Sequence, residues 1–403
     1  MDNKKKLVVI SHAQVSKANR YRWEYFAKTY KEWEVHLIVP RYWESYWFKE
    51  MNVFCVKPER KDNFFLHPMP TTSVYNWSRY FIIGLGKKLK EIDPDIIYIV
   101  HEESILIHHQ IYRVKNQKSK ILFFSMNAEG RKRFSKKMQF LLKYFLFNDI
   151  KRNTVAAITH CKEGVWSLRS QGYDKPIFIQ TNIGVHNEAF QQMPDIRKKI
   201  RKKIKFEDRF VIGYAGRLIK DKGIDNLLEA LKNVNFNNWA LLLVGDGNDK
   251  EEFEQIIKEN GWEDRVYITG FVEQNEVGKW MNAMDLFFIG SKIVDSFPLV
   301  PVQAQLCKVP VIASNKPSIP TQLEDTAIFF EVDNSKDLAK KLNYCYEHYD
   351  DLNEMVEKGY IRSKNLFSAE GISDNFYKIL DQVLTGNFIY HEKDEPYVQW
   401  KAY

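Results

Sequence analysis

The stretch DLFFIGSKIVDSFPLVPVQAQLCKVPVIASNKPSIP, residues 285–320, decides the fold predicted for this chain. It opens with an apolar run, Leu286 to Ile289, that is typical of a buried strand. A polar loop follows, and Pro301 then stands where a helix would begin, because its fixed φ suits the first helical turn. A second apolar run, Val309 to Ala313, predicts the next parallel strand. The stretch therefore predicts a β-α-β unit whose loop and helix start can receive an anion.

The length and composition indicate a globular chain: its 403 residues are enough for two domains that each bury a core. The net charge, 60 − 52 = +8, suits anionic ligands or an anionic surface, but it does not indicate a nucleic-acid-binding protein. The four cysteines have no CxxC spacing, which favours a reducing compartment and argues against a metal site. No signal peptide and no membrane-spanning run of ~20 apolar residues are visible. A cytoplasmic protein is expected.

Strands alternate with helices along both halves of the chain, which predicts an α/β protein built from two Rossmann-like domains. The loop after the first strand, SHAQVSKANRYR at 11–22, contains no glycine. That excludes a GxGxxG dinucleotide fingerprint and weakens an oxidoreductase interpretation. The predicted division is a first domain at 1–190, a linker helix at 191–206, a second domain at 207–367, a returning helix at 368–385 and an unassigned tail at 386–403.

A second motif, AGRLIKDKG at 215–223, follows the apolar strand Phe210 to Tyr214 and precedes a helix. Arg217 and Lys222 there supply two positive charges beside flexible, glycine-containing backbone. A diphosphate requires that combination, because arginine forks onto its oxygens and lysine adds a point charge. The competing interpretation is a pair of ordinary surface residues, and the strand–loop–helix context favours the phosphate site.

These motifs resemble those of the family-4 retaining glycosyltransferases (glycosyl transferases group 1), which have the GT-B fold. The family's G-R-x-x-x-x-K-G is matched from Gly216 to Gly223, and its E-x-F-G-L-V-x-x-E-A is represented by DSFPLVPVQA at 295–304. Here Asp295 and Gln303 replace the two acids and Pro298 replaces the glycine. The resemblance implies two Rossmann-like domains facing a cleft, with the C-terminal helix crossing back to the first.

The resemblance also implies roles for individual residues. In the family the first acid contacts the donor sugar and the second holds the ribose hydroxyls, so Asp295 is the implied catalytic residue. Gln303 can still donate to and accept from a hydroxyl pair. Both could instead be loop and cap residues of a plain β-α-β unit. The implied donor-binding residues are Gly216, Arg217, Lys222, Val272, Ser296, Phe297, Leu299, Val300 and Gln303.

The first domain offers polar residues just past the predicted strand ends, where open α/β sheets bind ligands. In the family a polar residue after the strand that is here Ile121 to Phe124 reaches the donor sugar, and Asn127 and Glu129 are both candidates for that catalytic role. Asp93 and Asp95 are interpreted as turn residues, with a metal-binding DxD as the alternative. The acceptor-side candidates are His12, Asn19, His101 and Glu102.

The resemblance implies transfer of a sugar from a nucleotide-diphosphate sugar to a glycan or lipid-linked acceptor, with retention and without metal or cofactor. The basic, aromatic segment Arg131 to Arg152 suggests contact with an anionic membrane surface, although a helix packed on the sheet is the simpler interpretation. Because the acids at 295 and 303 are altered, an inactive nucleotide-binding scaffold is a second hypothesis. A nucleotide-sugar epimerase on the same fold is a third.

Overall fold

A computed structural model describes residues 4–43, 54–73, 80–100, 105–125, 147–186, 188–293 and 297–389. The chain forms two compact units, Met1–Gly184 with Ala369–Tyr403, and Val185–Ser368. The division falls at 184/185 and 368/369, whereas sequence analysis placed the end of the first domain at 190 and the start of the second at 207.

The first unit is built on an eight-stranded sheet whose strands are parallel except for one antiparallel edge strand. The strands of this unit, in chain order, are β1 (Lys5–Ser11), β2 (Trp33–Pro40), β3 (Tyr42–Trp43), β4 (Phe54–Cys55), β5 (Glu59–Lys61), β6 (Phe64–Met69), β7 (Ile96–Val100), β8 (Lys120–Ser125), β9 (Ala156–Thr159) and β10 (Ile177–Ile179). Strands β3 and β4 form a separate antiparallel pair, and the others belong to the eight-stranded sheet. The order in the sheet is β10-β9-β8-β7-β1-β2-β6-β5. The strand order reverses between β1 and β7, so this is the sheet's switch point.

Helices connect these strands, because a crossover between two parallel strands needs about a dozen residues or more and is usually helical. They are α1 (Tyr21–Thr29), α2 (Leu85–Ile92), α3 (Ile105–Val114), α4 (Asn148–Asn153) and α5 (Lys162–Ser170). Strands β7 and β8 are near-continuous apolar runs with almost every residue buried, as expected for a parallel sheet covered on both faces.

The second unit is built on a six-stranded, fully parallel sheet. Its strands are β11 (Phe210–Ala215), β12 (Trp239–Val244), β13 (Val266–Ile268), β14 (Leu286–Ile289), β15 (Val311–Ser314) and β16 (Ile328–Phe330). The order is β13-β12-β11-β14-β15-β16. The switch point lies between β11 and β14, which are the strands before the two motifs singled out in the sequence.

The helices of the second unit cover both faces of this sheet. They are α6 (Pro194–Ile204), α7 (Ile224–Leu231), α8 (Lys250–Glu259), α9 (Val277–Met281), α10 (Val300–Leu306), α11 (Ile319–Leu323), α12 (Ser335–Glu347) and α13 (Asn353–Leu366). Helix α10 has Pro301 in its first turn, where the sequence placed it, and it begins one residue earlier than predicted.

Helix α6 forms at the position of the predicted linker helix, and it lies within the second compact unit. Its charged sequence indicates a solvated segment, yet Arg201 and Ile204 are buried. Arg197 and Arg201 both pair with the carboxylate of Asp285 at the start of β14. The helix therefore belongs to the second unit, and only its outer face is solvated.

The final helix, α14 (Ala369–Thr385), packs on the first unit. The Phe376 ring meets the Trp23 ring edge-on at 5.4 Å. The side chain of Gln180 donates to the Ile372 carbonyl at 2.8 Å, and Lys120 Nζ donates to the Val383 carbonyl at 2.9 Å. The helix thus returns to the unit in which the chain begins.

Candidate functional site

The candidate site lies at the carboxyl ends of the second unit's strands, at the switch point. Strands β11 and β14 are direct neighbours there, with Gly213 opposite Phe287. The two loops that follow them, 216–223 and 290–299, therefore start side by side. Open α/β sheets bind ligands in the crevice that forms at this position.

The two loops approach each other through glycine backbone. Gly223 has a φ of +73°, and a Cβ built on it would lie 2.2 Å from the Gly290 carbonyl oxygen. The Lys292 N–H donates to the Asp221 carbonyl at 2.8 Å, which joins the loops directly. A side chain at 223 would force the loops apart, so glycine is required there.

A third loop, the turn Gly245–Gly247 after β12, packs against the first. A Cβ at Gly245 would lie 1.9 Å from the Gly216 carbonyl oxygen. The Leu218 N–H donates to the Asp246 carbonyl at 2.9 Å. Gly245 also forms an antiparallel bridge with Gly270 after β13. A lone GxG is weak evidence in the sequence, but here it allows four loops to converge on one edge.

The two predicted phosphate-binding cations occupy the first loop. Arg217 is exposed, and its guanidinium makes no ion pair with any residue that the structure describes. The backbone carbonyl of Arg217 accepts a 2.7 Å hydrogen bond from the Tyr214 hydroxyl, which stabilises the conformation of the loop. Lys222 ends a short 3₁₀ turn and is half-buried. Both cations thus lie at the switch point.

A further cation at this edge, Lys292, was not predicted from the sequence. Lys292 Nζ lies 2.8 Å from Asp225 Oδ2 at the start of α7 and 3.0 Å from Asp333 Oδ1. Burial lowers the pKa of Lys292, but the two carboxylates outweigh that effect and raise it above its ordinary value. The charged lysine therefore joins the loop after β14 to the helix that follows the phosphate motif.

The remaining donor-side candidates lie on the loop after β14 and on α10. Phe297, Leu299 and Val300 are half-buried, and the Phe297 ring packs 5.2 Å from the Phe367 ring. Gln303 is only 5% exposed, and its side-chain amide bonds to none of the residues in the described ranges. That unpaired amide is available to a ligand hydroxyl.

Two further donor-side residues, Asp295 and Ser296, lie outside the described residues. Val272 packs against the core of the second unit and follows Phe271, whose side chain is 60% exposed. The loop after β13 therefore joins the site through the backbone at Gly270 and presents one exposed ring.

Two acceptor-side candidates follow β1 in the first unit. The His12 ring lies 5.2 Å from the Trp43 ring, and burial lowers the pKa of His12 to about 4. His12 is therefore neutral near pH 7. Asn19 donates its amide to the Ala13 carbonyl at 2.8 Å, so part of its hydrogen-bonding capacity shapes the loop. The other first-unit candidates, His101, Glu102, Asn127 and Glu129, lie outside the described residues.

The acids weighed as a DxD metal site are used in a turn. Asp93 pairs with Lys118 at 2.7 Å, and that hydrogen bond holds the pKa of Asp93 below its ordinary value. Asp95 accepts a 2.7 Å hydrogen bond from the Lys6 N–H. Across the described ranges, no cluster of three or more His, Cys, Asp or Glu side chains is arranged to hold a metal ion.

No helix in the described ranges is long and apolar enough to cross a membrane.

The architecture is that of the GT-B glycosyltransferases. The solved structure of Alr3699/HepE from Anabaena, in complex with UDP and glucose, is 18% identical, with a TM-score of 0.68. The likeness covers 94% of this chain and 100% of that one. The predicted fold class is thereby confirmed.

One family match lies in the second unit. Residues 195–362 match the family model described as Glycosyl transferases group 1. This stretch of the chain is therefore similar to that family, and it includes the segments 216–223 and 295–304 that carry the resemblance seen in the sequence.

Curated relatives match over shorter stretches. The chain is 26% identical over 223 residues to the putative teichuronic acid biosynthesis glycosyltransferase TuaC of Bacillus subtilis, covering 53% of this chain and 54% of that protein. It is 43% identical over 84 residues to the lipopolysaccharide core biosynthesis glycosyltransferase LpsD of Rhizobium meliloti, covering 21% of this chain and 23% of that protein. The chain spans about half or less of the length of these relatives.

Proposed function

We propose that this chain is a glycosyltransferase that moves a sugar from a nucleoside-diphosphate sugar to a saccharide or lipid-linked acceptor in the synthesis of a cell-envelope polysaccharide or glycolipid. One observation carries the proposal. Four loops, three of them in close glycine-backbone contact, converge at the switch point of the second sheet and bring Arg217 and Lys222 there. The convergence brings backbone N–H groups and two cations to the edge where we propose that the diphosphate binds.

The diphosphate is the leaving group of the reaction, so its stabilisation is the central task of the site. Arg217 would fork onto its oxygens while Lys222 adds a point charge, and both act more strongly where water is displaced. Gln303 would bind the ribose hydroxyls through its unpaired amide. Asp295, by the family resemblance, would contact the donor sugar.

Two finer features belong to the same proposal. Transfer proceeds with retention, and it needs neither a metal ion nor a cofactor because Arg217 and Lys222 supply the charge that a divalent cation would otherwise supply. The protein would act at the inner face of the membrane if its acceptor is lipid-linked. The basic segment 131–152 remains the predicted contact with anionic lipid, and most of it lies outside the described residues.

Replacing either cation should weaken nucleotide binding. Arg217→Ala and Lys222→Ala are each expected to cost about 1–3 kcal/mol of UDP binding, as for hydrogen bonds to charged groups. Isothermal titration calorimetry with UDP measures the loss. The control is Lys220→Ala, because Lys220 lies in the same loop but pairs with Glu252 at 2.8 Å.

The control variant should bind UDP like the wild type. If all three variants bind UDP with wild-type affinity, the diphosphate does not bind at this loop, and the proposed site is contradicted. A loss in all three would indicate an electrostatic effect without a specific contact.

A nucleotide-binding scaffold without turnover is the alternative, and the altered residues at 295, 298 and 303 favour it. Asp295→Asn separates the two hypotheses. In a transferase, it should abolish most of the donor turnover while leaving UDP affinity nearly unchanged, because the diphosphate contacts lie elsewhere. The assay is sugar release from UDP-glucose with cell lipid extract, in the presence of EDTA.

Turnover that Asp295→Asn leaves intact would exclude the role given to that residue. Turnover that is lost in EDTA and restored by Mn²⁺ would contradict metal independence. The anomeric configuration of the product, read by NMR, tests retention. Nucleotide binding without turnover of any donor would favour the scaffold.

A further inference from the structure

A buried side chain from a neighbouring helix is hydrogen-bonded to the backbone that carries three predicted donor contacts. Gln322, on α11, donates from Nε2 to the carbonyl oxygen of Pro298 at 2.8 Å. Pro298 lies between Phe297 and the first turn of α10, where Leu299 and Val300 follow. Gln322 is 4% exposed, so water does not compete for this hydrogen bond.

The orientation of the Gln322 amide follows from its partner. A carbonyl oxygen only accepts, so Nε2 must face Pro298 and Oε1 must point away. Oε1 is buried and has no partner among the residues that the structure describes. An unpaired buried acceptor is unfavourable, and an apolar residue at 322 would avoid that cost. Gln322 therefore donates to the Pro298 carbonyl while its own oxygen, Oε1, has no hydrogen bond to any described residue.

Gln322 is itself held from two sides. The backbone N–H of Gln322 donates to the Ser318 carbonyl at 3.0 Å. The backbone carbonyl of Gln322 accepts a hydrogen bond from Arg362 Nη2 at 3.2 Å. Arg362 also pairs with Glu324 at 2.9 Å. The backbone from which the Gln322 side chain reaches Pro298 is thus anchored to α13 as well as to its own helix.

The turn before α11 is strained. Ser318 has a φ of +78° and is 2% exposed. A non-glycine residue in such a conformation costs on the order of 1–3 kcal/mol, and the surrounding structure must compensate for it. The Thr321 hydroxyl donates to the Ser318 carbonyl at 2.9 Å, which contributes to that compensation. The strained turn sets the direction in which α11 presents Gln322.

We infer that Gln322 is a positioning residue for the donor sugar, acting through the Pro298 carbonyl on the backbone of residues 297–300. The inference rests on the proposed function and adds to it a determinant outside the two family motifs. The proposed diphosphate contacts, Arg217 and Lys222, lie on the loop after β11 and not on the segment to which Gln322 is hydrogen-bonded. Gln322 should therefore affect the sugar-bearing donor and not the bare nucleotide.

The test compares UDP and UDP-glucose binding in two variants that lose the amide donor to Pro298. Gln322→Met keeps the length of the side chain, and Gln322→Glu keeps its shape but, when ionised, only accepts. In both, UDP-glucose affinity should fall about tenfold, the effect of one buried hydrogen bond. UDP affinity should stay within about twofold. Calorimetry gives both values without requiring turnover.

The matched control is Gln305→Met. Gln305 is also a buried glutamine of the second unit, and its amide bonds to Thr326 and Ser363, not to the loop. It should lower the melting temperature, because three hydrogen bonds are lost, while leaving UDP-glucose affinity unchanged. Where turnover is measurable, Gln322→Met should lower kcat/KM for the donor, and Gln305→Met should not.

Three outcomes would overturn the inference. If UDP-glucose affinity stays within twofold of wild type in both Gln322 variants, or if Gln305→Met lowers it equally, Gln322 is a packing residue. If UDP affinity falls as far as UDP-glucose affinity, the effect is not confined to the sugar. Failure of the wild type to bind any of UDP, GDP and ADP would instead contradict the proposed function on which the inference rests.

Discussion

Asp285→Asn is expected to lower the free energy of unfolding by about 3–5 kcal/mol, the usual effect of removing one partner from a buried ion pair. The Asp285 side chain is 10% exposed and its partner Arg201 is equally buried. Asparagine keeps the shape but not the charge, so two guanidinium groups would be left beside a neutral amide.

The size of the expected effect follows from the number of bonds that converge on one carboxylate. Arg197 donates to Oδ1 and Arg201 donates to Oδ2. The Val211 N–H also donates to Oδ2 at 2.7 Å. Burial lowers the pKa of Arg201, while the Asp285 charge acts in the opposite direction. The carboxylate thus joins α6, β11 and β14, and its loss should loosen all three.

Urea unfolding followed by circular dichroism measures this effect. The control is Asp264→Asn, because Asp264 pairs with Arg209 at 3.5 Å while its side chain is 68% exposed. An exposed pair contributes only about 0–1 kcal/mol, so the control should unfold nearly like the wild type. Similar midpoints for both variants would show that the Asp285 network does not stabilise the second unit.

Gly223→Ala is expected to reduce donor turnover about a hundredfold, because a displacement of ~1 Å in a catalytic site can have that effect. The added Cβ would lie 2.2 Å from the Gly290 carbonyl oxygen, which is backbone and cannot rotate away. The loops after β11 and β14 would have to separate. UDP affinity should fall as well, since Lys222 is the adjacent residue.

Gly261→Ala is the matched control, because it isolates the backbone conformation from the close contact. Gly261 has a φ of +65°, similar to that of Gly223, and a Cβ there meets nothing within 4 Å. Both variants carry a conformational cost of about 1–2 kcal/mol. Only Gly223→Ala should lose nucleotide binding and turnover. Equal activity in the two variants would mean that the contact between the loops is not needed for function.

The sequence by itself determined the fold class and the location of the predicted phosphate-binding motif at the end of a strand. Alternating strands and helices are local patterns, and the predicted strand Leu286 to Ile289 agrees with β14 to the residue. The positions of Arg217 and Lys222 also follow locally, because a glycine-containing loop between a strand and a helix must lie at a strand end. These features depend on residues that are neighbours in the chain.

Only the tertiary structure decided which distant residues meet. The helix at 194–204 looks solvated in the sequence because its acidic partner, Asp285, lies 84 positions after Arg201. Gln322 reaches Pro298 across 24 positions, and Lys292 reaches Asp225 across 67. Strand order brings these pairs together, and strand order depends on how the whole sheet packs. No local pattern of charge or hydropathy specifies it.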